Sequence, residues 1–535
     1  MALPNFLLLF MLLVPSFQAL YDETHSNDPN QTSQSLIVQT CQGIENPDLC
    51  HSNLQARLGK QDNHNNPHSI FKAALEATLD EANQAIDRVS GFSTLSTSLR
   101  EQMAIQDCKE LLDFSVSELS WSLAEMNKVL AGLKSSPHKG NLKAWLSAAL
   151  SNQDTCLEGF EGTDRRLEGL FRGNLGHVTG LIGNVLALHS QIYGLPRNSS
   201  TRSNQRSEFP RWMAKGDEEL LLASPKGMHV DAVVALDGSG HHKSIAEAVN
   251  EAPDHSRRRY VIYIKRGVYG ENIDMKKKKT NIMFIGDGMG ATVVAGSRSF
   301  TQGWTTFRTA TVAVSGTGFI ARDMTFRNSA GPRGHQAVAL RVDSDQSAFY
   351  RCSIEGFQDS LYIHSLRQFY RECDIHGTVD FIFGNGAAVL QGCRIFTREP
   401  LPMQKVTITA QGRKSPNQNT GFSIQDSYVY ASQPAYLGRP WKQYSRTIFM
   451  HTFMNELVQP RGWLEWFGNY YLDTLWYGEY MNYGPGAALG QRVKWPGFHI
   501  VRDASVAKLF TVGRFIDGVS WLPATGIKFT AGLSD

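Results

Sequence analysis

The sequence predicts two domains of opposite class: an all-α four-helix bundle over residues 33–192, then an all-β right-handed parallel β-helix over residues 225–535. Three observations carry that prediction. Apolar residues recur at helical spacing only in the first part of the chain. From Ala232 onward the apolar runs shorten to strand length, with Gly and Asn between them. One segment also returns: Tyr350-Arg351-Cys352-Ser353-Ile354-Glu355-Gly356 is echoed by Tyr370-Arg371-Glu372-Cys373-Asp374-Ile375-His376-Gly377, and loosely by Gly392-Cys393-Arg394-Ile395. The cysteines stand 21 and then 20 residues apart, a period at which self-similarity marks stacked β-coils. A chain of 535 residues exceeds what one ordinary core organises.

At the N-terminus an apolar run from Phe6 to Val14 is stopped by Pro15, with Gln18-Ala19 following. A membrane span needs roughly 20 apolar residues, so this reads as the core of a signal peptide over residues 1–19, though the amino terminus is its only positive charge. No later stretch is long enough to cross a membrane, so no membrane anchor is expected. Secretion makes Asn30-Gln31-Thr32 and Asn198-Ser199-Ser200 acceptor tripeptides for glycosylation at Asn30 and Asn198. Phe71, Leu75, Leu79, Ala82, Ile86 and Val89 are spaced 4, 4, 3, 4, 3, one stripe of a helix. Ile105, Cys108, Leu112, Leu119, Met126 and Leu130 give a second stripe. Leu142, Trp145, Leu146, Ala149 and Leu150 begin a third, and Val178, Leu181, Ile182, Val185 and Leu188 a fourth. Such stripes are core, and nothing catalytic is read into them.

Residues 193–224 are polar and irregular, a linker and candidate processing region. Strands are expected at Tyr260–Lys265, Asn281–Ile285, Thr311–Val314, Ala337–Val342, Phe381–Phe383, Lys405–Ala410 and Arg446–Met450, with one helix at Ile245–Val249. Asp359 and Asp380 each follow a repeat cysteine by seven residues. Coils stacked about 4.8 Å apart bring such equivalent residues side by side. Two adjacent carboxylates cannot both ionise freely, so one is pushed to hold a proton. The same stacking would bring the Cα atoms of Cys352 and Cys373 within the roughly 4.4–6.8 Å of a disulfide, leaving Cys393 a buried thiol. The net charge of +3 divides unevenly: +10 over residues 225–535 and −7 over the remainder. A basic body behind an acidic segment suggests an anionic partner, masked by that segment.

Five motifs then stand in order: Gly267-Val268-Tyr269-Gly270-Glu271, Gln336-Ala337-Val338-Ala339-Leu340-Arg341, Gln358-Asp359-Ser360-Leu361-Tyr362, Gly377-Thr378-Val379-Asp380-Phe381-Ile382-Phe383-Gly384 and Leu437-Gly438-Arg439-Pro440-Trp441. With them, residues from about 230 to 532 resemble the plant pectin methylesterases, which de-esterify homogalacturonan. Residues 33–192 resemble the pectin methylesterase inhibitor domain, on helix pattern and cysteine order. The resemblance implies disulfides Cys41–Cys50 and Cys108–Cys156. It implies that Asp380 is the nucleophile and Asp359 the acid and then the base, with Arg439 keeping Asp380 ionised. Gln336 and Gln358 would donate to the oxyanion. Trp441, Tyr362, Phe383 and Thr306 would contact sugar. No metal or cofactor is implied. The implied partners are methyl-esterified homogalacturonan and an intramolecular inhibitor-like domain, with no nucleic acid, and the implied location is the cell wall.

Blander readings compete. Gln336 and Gln358 could form a polar ladder between coils, and Trp441 could be packing. Lys276–Lys279 reads as a solvated charged turn, with contact to polyanionic pectin as the alternative. His241, His242 and His364 lack metal-ligand companions. A polygalacturonan hydrolase or lyase is the rival enzyme, since close carboxylates also serve glycosidases; a catalytically silent wall-binding protein is the rival outside enzymes. Gly270 replaces a larger polar residue of the family. Glu218-Glu219 stands where related precursors carry a dibasic pair, which leaves open whether the two domains are separated.

Overall fold

The computed structural model describes residues 37–58, 66–134, 138–194 and 229–534. The expected signal peptide, Asn30, Asn198 and Glu218-Glu219 lie outside the described residues. The helical part comprises α1 (Pro47–Leu58), α2 (Pro67–Gly91), α3 (Leu99–Leu130), α4 (Lys139–Glu158) and α5 (Arg166–Tyr193). The four expected stripes lie on α2 to α5, and their members Phe71, Leu75, Cys108, Leu119, Leu142, Leu146, Val178 and Ile182 are buried. Helix starts follow local chemistry. Asn66 caps α2 through the His68 amide, ahead of Pro67, and Ser98 caps α3 through the Glu101 amide. The short α1 had only Cys50, Leu54 and Leu58 to announce it, and those three are its buried residues. Disulfides join Cys41 to Cys50 and, between α3 and α4, Cys108 to Cys156.

From Ala232 the chain winds as a parallel β-helix. Strand Ser347–Glu355 pairs with Arg367–Arg371 and Asp374–Gly377, so that Ser347 faces Gln368 and Ser353 faces Asp374. That offset of 21 is the cysteine spacing, because each coil here is 21 residues long. The next coil offsets Asp374 from Arg394, and later ones Ile382 from Thr409 and Ile395 from Val429. Groove loops lengthen those later coils and erase the repeat.

One sheet runs the length of the winding. Its seven strands stack in chain order: β1 (Ile273–Met275), β2 (Val312–Val314), β3 (Leu340–Val342), β4 (Leu361–Ile363), β5 (Ile382–Gly384), β6 (Val406–Gln411) and β7 (Ala435–Gly438). Inward side chains such as Leu340, Leu361 and Ile382 fill the core. Outward ones face the helical domain. Phe307, Ala313, Val338, Tyr362, Phe383 and Ala410 join the buried apolar cluster of α1–α5, so the two domains share a hydrophobic contact. On another outer face, the C-terminal segment lays Phe510, Val512, Phe515, Trp521 and Leu522 over Phe369, Val389 and Ile448.

The expected Cys352–Cys373 disulfide is not formed. Cys352, Cys373 and Cys393 are all buried free thiols, and each donates to a backbone carbonyl: Tyr350, Phe349 and Tyr370 respectively. The Cα test was insufficient. In a parallel ladder neighbouring Cα–Cβ bonds point the same way, so Cβ atoms keep the strand spacing of about 4.8 Å rather than the ~3.8 Å a disulfide requires.

Lys276–Lys279 is not a solvated turn either. Lys276 pairs with Glu110 of α3 and with Asp274. Lys277 reaches Glu118 of α3 and lies over the Phe114 and Trp121 rings. Lys278 and Lys279 pair with Asp254.

Candidate active site

Asp359 and Asp380 occupy equivalent places on successive coils, just ahead of β4 and β5. The Asp359 amide donates to Val379 O at 3.1 Å, and Leu361 faces Ile382. Both aspartates take the left-handed backbone conformation, with φ of 62° and 52°. Asp tolerates that region better than most residues, and such strain concentrates at functional sites. The turn lifts both side chains off the sheet into a cavity of about 260 Å³, where each remains largely buried.

The two carboxylates differ in their partners. Arg439, immediately after β7, grips Asp380 through both oxygens: Nε to Oδ1 at 2.9 Å and Nη2 to Oδ2 at 2.6 Å. Thr407 Oγ1 donates to Asp380 Oδ1 at 2.6 Å. Asp359, by contrast, has no cation within ion-pair distance among the described residues. Burial pushes its carboxyl well above the ordinary range, and the charge of Asp380 adds to this; Arg439 pulls the other way, and Glu161 adds a further push. Burial also works against the charge on Arg439, yet Asp380 outweighs it and holds the guanidinium protonated. The pair is thus asymmetric: Asp380 is clamped by a cation, while Asp359 favours its proton.

Every other site residue expected from the sequence lines the same cavity: Gln336, Gln358, Arg439, Thr306, Trp441, Tyr362 and Phe383. Gln358 Oε1 is buried without a hydrogen-bond partner, so the protein leaves this amide untied. Tyr362 and Phe383 stack at 4.1 Å, and Trp441 lies 5.9 Å from Phe383. His364 is buried against Phe307 and Tyr362, which drives its pKa well down and keeps it neutral.

Sequence reading missed three contributions. Thr407 sits one coil beyond Asp380, at a position the strand expected at Lys405–Ala410 already contained. Trp466, from a loop with no motif of its own, lies 4.3 Å from the Arg439 guanidinium. The third comes from the helical domain: Thr155, Glu158, Gly159 and Glu161, at and beyond the C-terminal end of α4, wall the cavity opposite the aspartates. Thr155 Oγ1 meets His364 Nε2 at 3.0 Å, and Ser151 Oγ accepts from Asn385 Nδ2 at 2.7 Å. α4 lies across the groove.

Comparisons agree on what this resembles. A family model described as Pectinesterase matches residues 231–519, and one described as Plant invertase/pectin methylesterase inhibitor matches residues 35–188. A sequence from Arabidopsis thaliana, numbered 22 among its pectinesterase/pectinesterase inhibitors, is 59% identical over 539 residues and covers 99% of each chain. Pectinesterase/pectinesterase inhibitor PPE8B of Prunus persica is 52% identical, over 86% of this chain and 89% of its own. Among solved structures, a pectin methylesterase from carrot is 55% identical with a TM-score of 0.57, covering 57% of this chain and 99% of its own.

Proposed function

The chain belongs to the pectinesterase family and carries an inhibitor-like helical domain, and on that premise we propose that it hydrolyses methyl esters of homogalacturonan through two aspartates, with the helical domain holding the enzyme silent. Asp380 attacks the ester carbonyl carbon. The carbonyl electrons move onto oxygen, where the amides of Gln336 and Gln358 donate; one such donor is worth about 10²–10³ in rate. As the C–O bond breaks, Asp359 passes its proton to the departing methoxide and methanol leaves. The product is an anhydride between Asp380 and the galacturonate. Asp359, now a carboxylate, takes a proton from water, whose oxygen attacks the anhydride and returns free Asp380 and a galacturonate carboxylate. Arg439 fixes the rotamer of the nucleophile by holding both its oxygens.

The single observation that supports this division of labour is that the Arg439 clamp engages one carboxylate and not its neighbour. The Gln and Arg surroundings suit an acyl oxyanion rather than a sugar cation. α4 over the groove supports the silent state. Secretion to the cell wall accompanies this reading, on the apolar run Phe6–Val14 and the absence of a helix long and apolar enough to cross a membrane among the described residues. The deciding assay supplies methyl-esterified pectin and follows methanol and reducing ends together, for the full chain and for the β-helix alone. Methanol without reducing ends, faster from the β-helix alone, is expected. Reducing ends without methanol would make the protein a depolymerase, and equal rates would remove the inhibitory role.

A further inference from the structure

The helical domain is held at each end of the catalytic cavity by carboxylates seated on cations of the β-helix. At one end Arg308 takes Asp107 and Glu110, Lys276 takes Glu110 at 2.7 Å, and Lys277 takes Glu118 at 3.3 Å. At the other, Lys414 takes Asp154 at 2.8 Å and Lys442 takes Glu158 at 2.6 Å. Among the described residues, Lys277, Lys414 and Lys442 have no carboxylate partner on the β-helix itself. All five lie along the groove sheet. Lys276 and Lys277 follow β1 and Arg308 precedes β2, three and two coils before Asp359; Lys414 follows β6 and Lys442 follows β7, one and two coils past Asp380. At about 4.8 Å per coil, the cations begin roughly 10 Å before the first aspartate and extend roughly 10 Å beyond the second.

We propose that these two cation clusters are carboxylate subsites for free galacturonate units flanking the ester under attack, and that Asp107, Glu110, Glu118, Asp154 and Glu158 occupy them as stand-ins for the polymer. The inference rests on the pectin methylesterase reading above. Its chemistry is that of the reaction: each turnover converts a neutral ester into a carboxylate on the same chain. A cation one or two coils from the catalytic pair then gains a partner for every ester already removed nearby. The preferred substrate is partly de-esterified galacturonan, and the de-esterified product competes with the helical domain for the same side chains.

The test uses the full chain and the β-helix alone, residues 229–535. The carrot enzyme, whose whole solved chain is matched by 57% of this one, indicates that a body of this size folds by itself. Two paired variants of the body, Arg308→Gln with Lys277→Gln and Lys414→Gln with Lys442→Gln, are compared with Lys494→Gln, an exposed lysine away from the groove sheet. The first measurement is calorimetric binding of ester-free polygalacturonate, which needs no catalysis. Each paired variant is expected to weaken binding about 3–10-fold at low salt, as for partly exposed charge pairs, and to flatten its salt dependence. Lys494→Gln is expected to match the parent, and the full chain to bind more weakly than the body. The second measurement is KM for methanol release on sparsely and on fully esterified pectin. The paired variants are expected to raise the former more than the latter. Paired variants that bind polygalacturonate as the parent does, with unchanged melting temperature, would overturn the proposal, as would equal binding by full chain and body. A parent body that binds polygalacturonate but releases no methanol would instead overturn the catalytic reading.

Discussion

Replacing Ser151 by alanine separates docking of the helical domain from folding of that domain. Ser151 is 3% exposed, and its hydroxyl accepts from Asn385 Nδ2 at 2.7 Å and Gln418 Nε2 at 3.1 Å, both on the β-helix. Gln418 Nε2 keeps a second acceptor, Ser147 O at 2.9 Å. The described contacts give Asn385 Nδ2 none. One buried donor left unpaired costs about 1–3 kcal/mol, and a shared bond about 0.5–1.5 kcal/mol. Docking should therefore weaken by about 2–3 kcal/mol, or ~30–150-fold in the closed-to-open ratio. Within α4 the hydroxyl bonds only back to Ser147 O, and alanine is the better helix former by a few tenths of a kcal/mol. The bundle itself should melt no lower than before. The assay is the initial rate of methanol release from full-length parent, Ser151→Ala and the β-helix alone. The variant should approach the β-helix alone, by a factor of up to ~100 if the parent is mostly closed. A variant as slow as the parent, with the bundle still folded, would refute the idea that α4 holds the groove shut.

Three further outcomes are expected. Asp380→Asn and Asp359→Asn should each fold normally, since asparagine also tolerates positive φ; the first should lose the acyl-enzyme route, and the second about 10²–10⁴ in kcat on ester substrates. Docking should loosen as pH rises. Burial raises Asp107 to about 6 against the pull of Arg308, and Glu118 to about 7 against the pull of Lys277. The docked state therefore binds protons more tightly than the undocked one, and this contribution is full in acid and lost as pH climbs through 6 to 7; the ratio of full-length to β-helix activity, followed from pH 5 to 8, should rise. Cys352, Cys373 and Cys393 should resist a thiol reagent in the native protein and react together on unfolding, whereas a native Cys352–Cys373 disulfide would leave only Cys393 to react.

How far the sequence carried differs between the domains and the site. Helix stripes and β-coils were legible because burial imposes a period, 3.6 on α2 to α5 and one coil length on residues 350–395. The aspartate pair was legible for the same reason: Asp359 and Asp380 share a coil position. What escaped has no period. Trp466 reaches Arg439 from an irregular loop, and Thr155, Glu158 and Glu161 enter the cavity only because one domain packs on the other. The Lys276–Lys279 run looked solvated since its partners Glu110 and Glu118 lie more than 150 residues away in the chain. The cysteine error had another source: strand spacing predicts how near two Cα atoms come, but not the direction in which their side chains leave.

The winding of the chain also limits which edits the gene for such a protein could accept. Leu361 opposes Ile382 and Tyr362 opposes Phe383, so the stretch from one aspartate to the next is a closed circuit of fixed length. Deleting a single residue within a strand of that circuit would exchange inward for outward side chains along it, turning one carboxylate toward leucines and phenylalanines. Added residues are absorbed only where the path leaves the sheets, as the longer circuits between Ile382 and Thr409 illustrate. Length variation among relatives should therefore gather in those excursions and avoid the 21-residue interval.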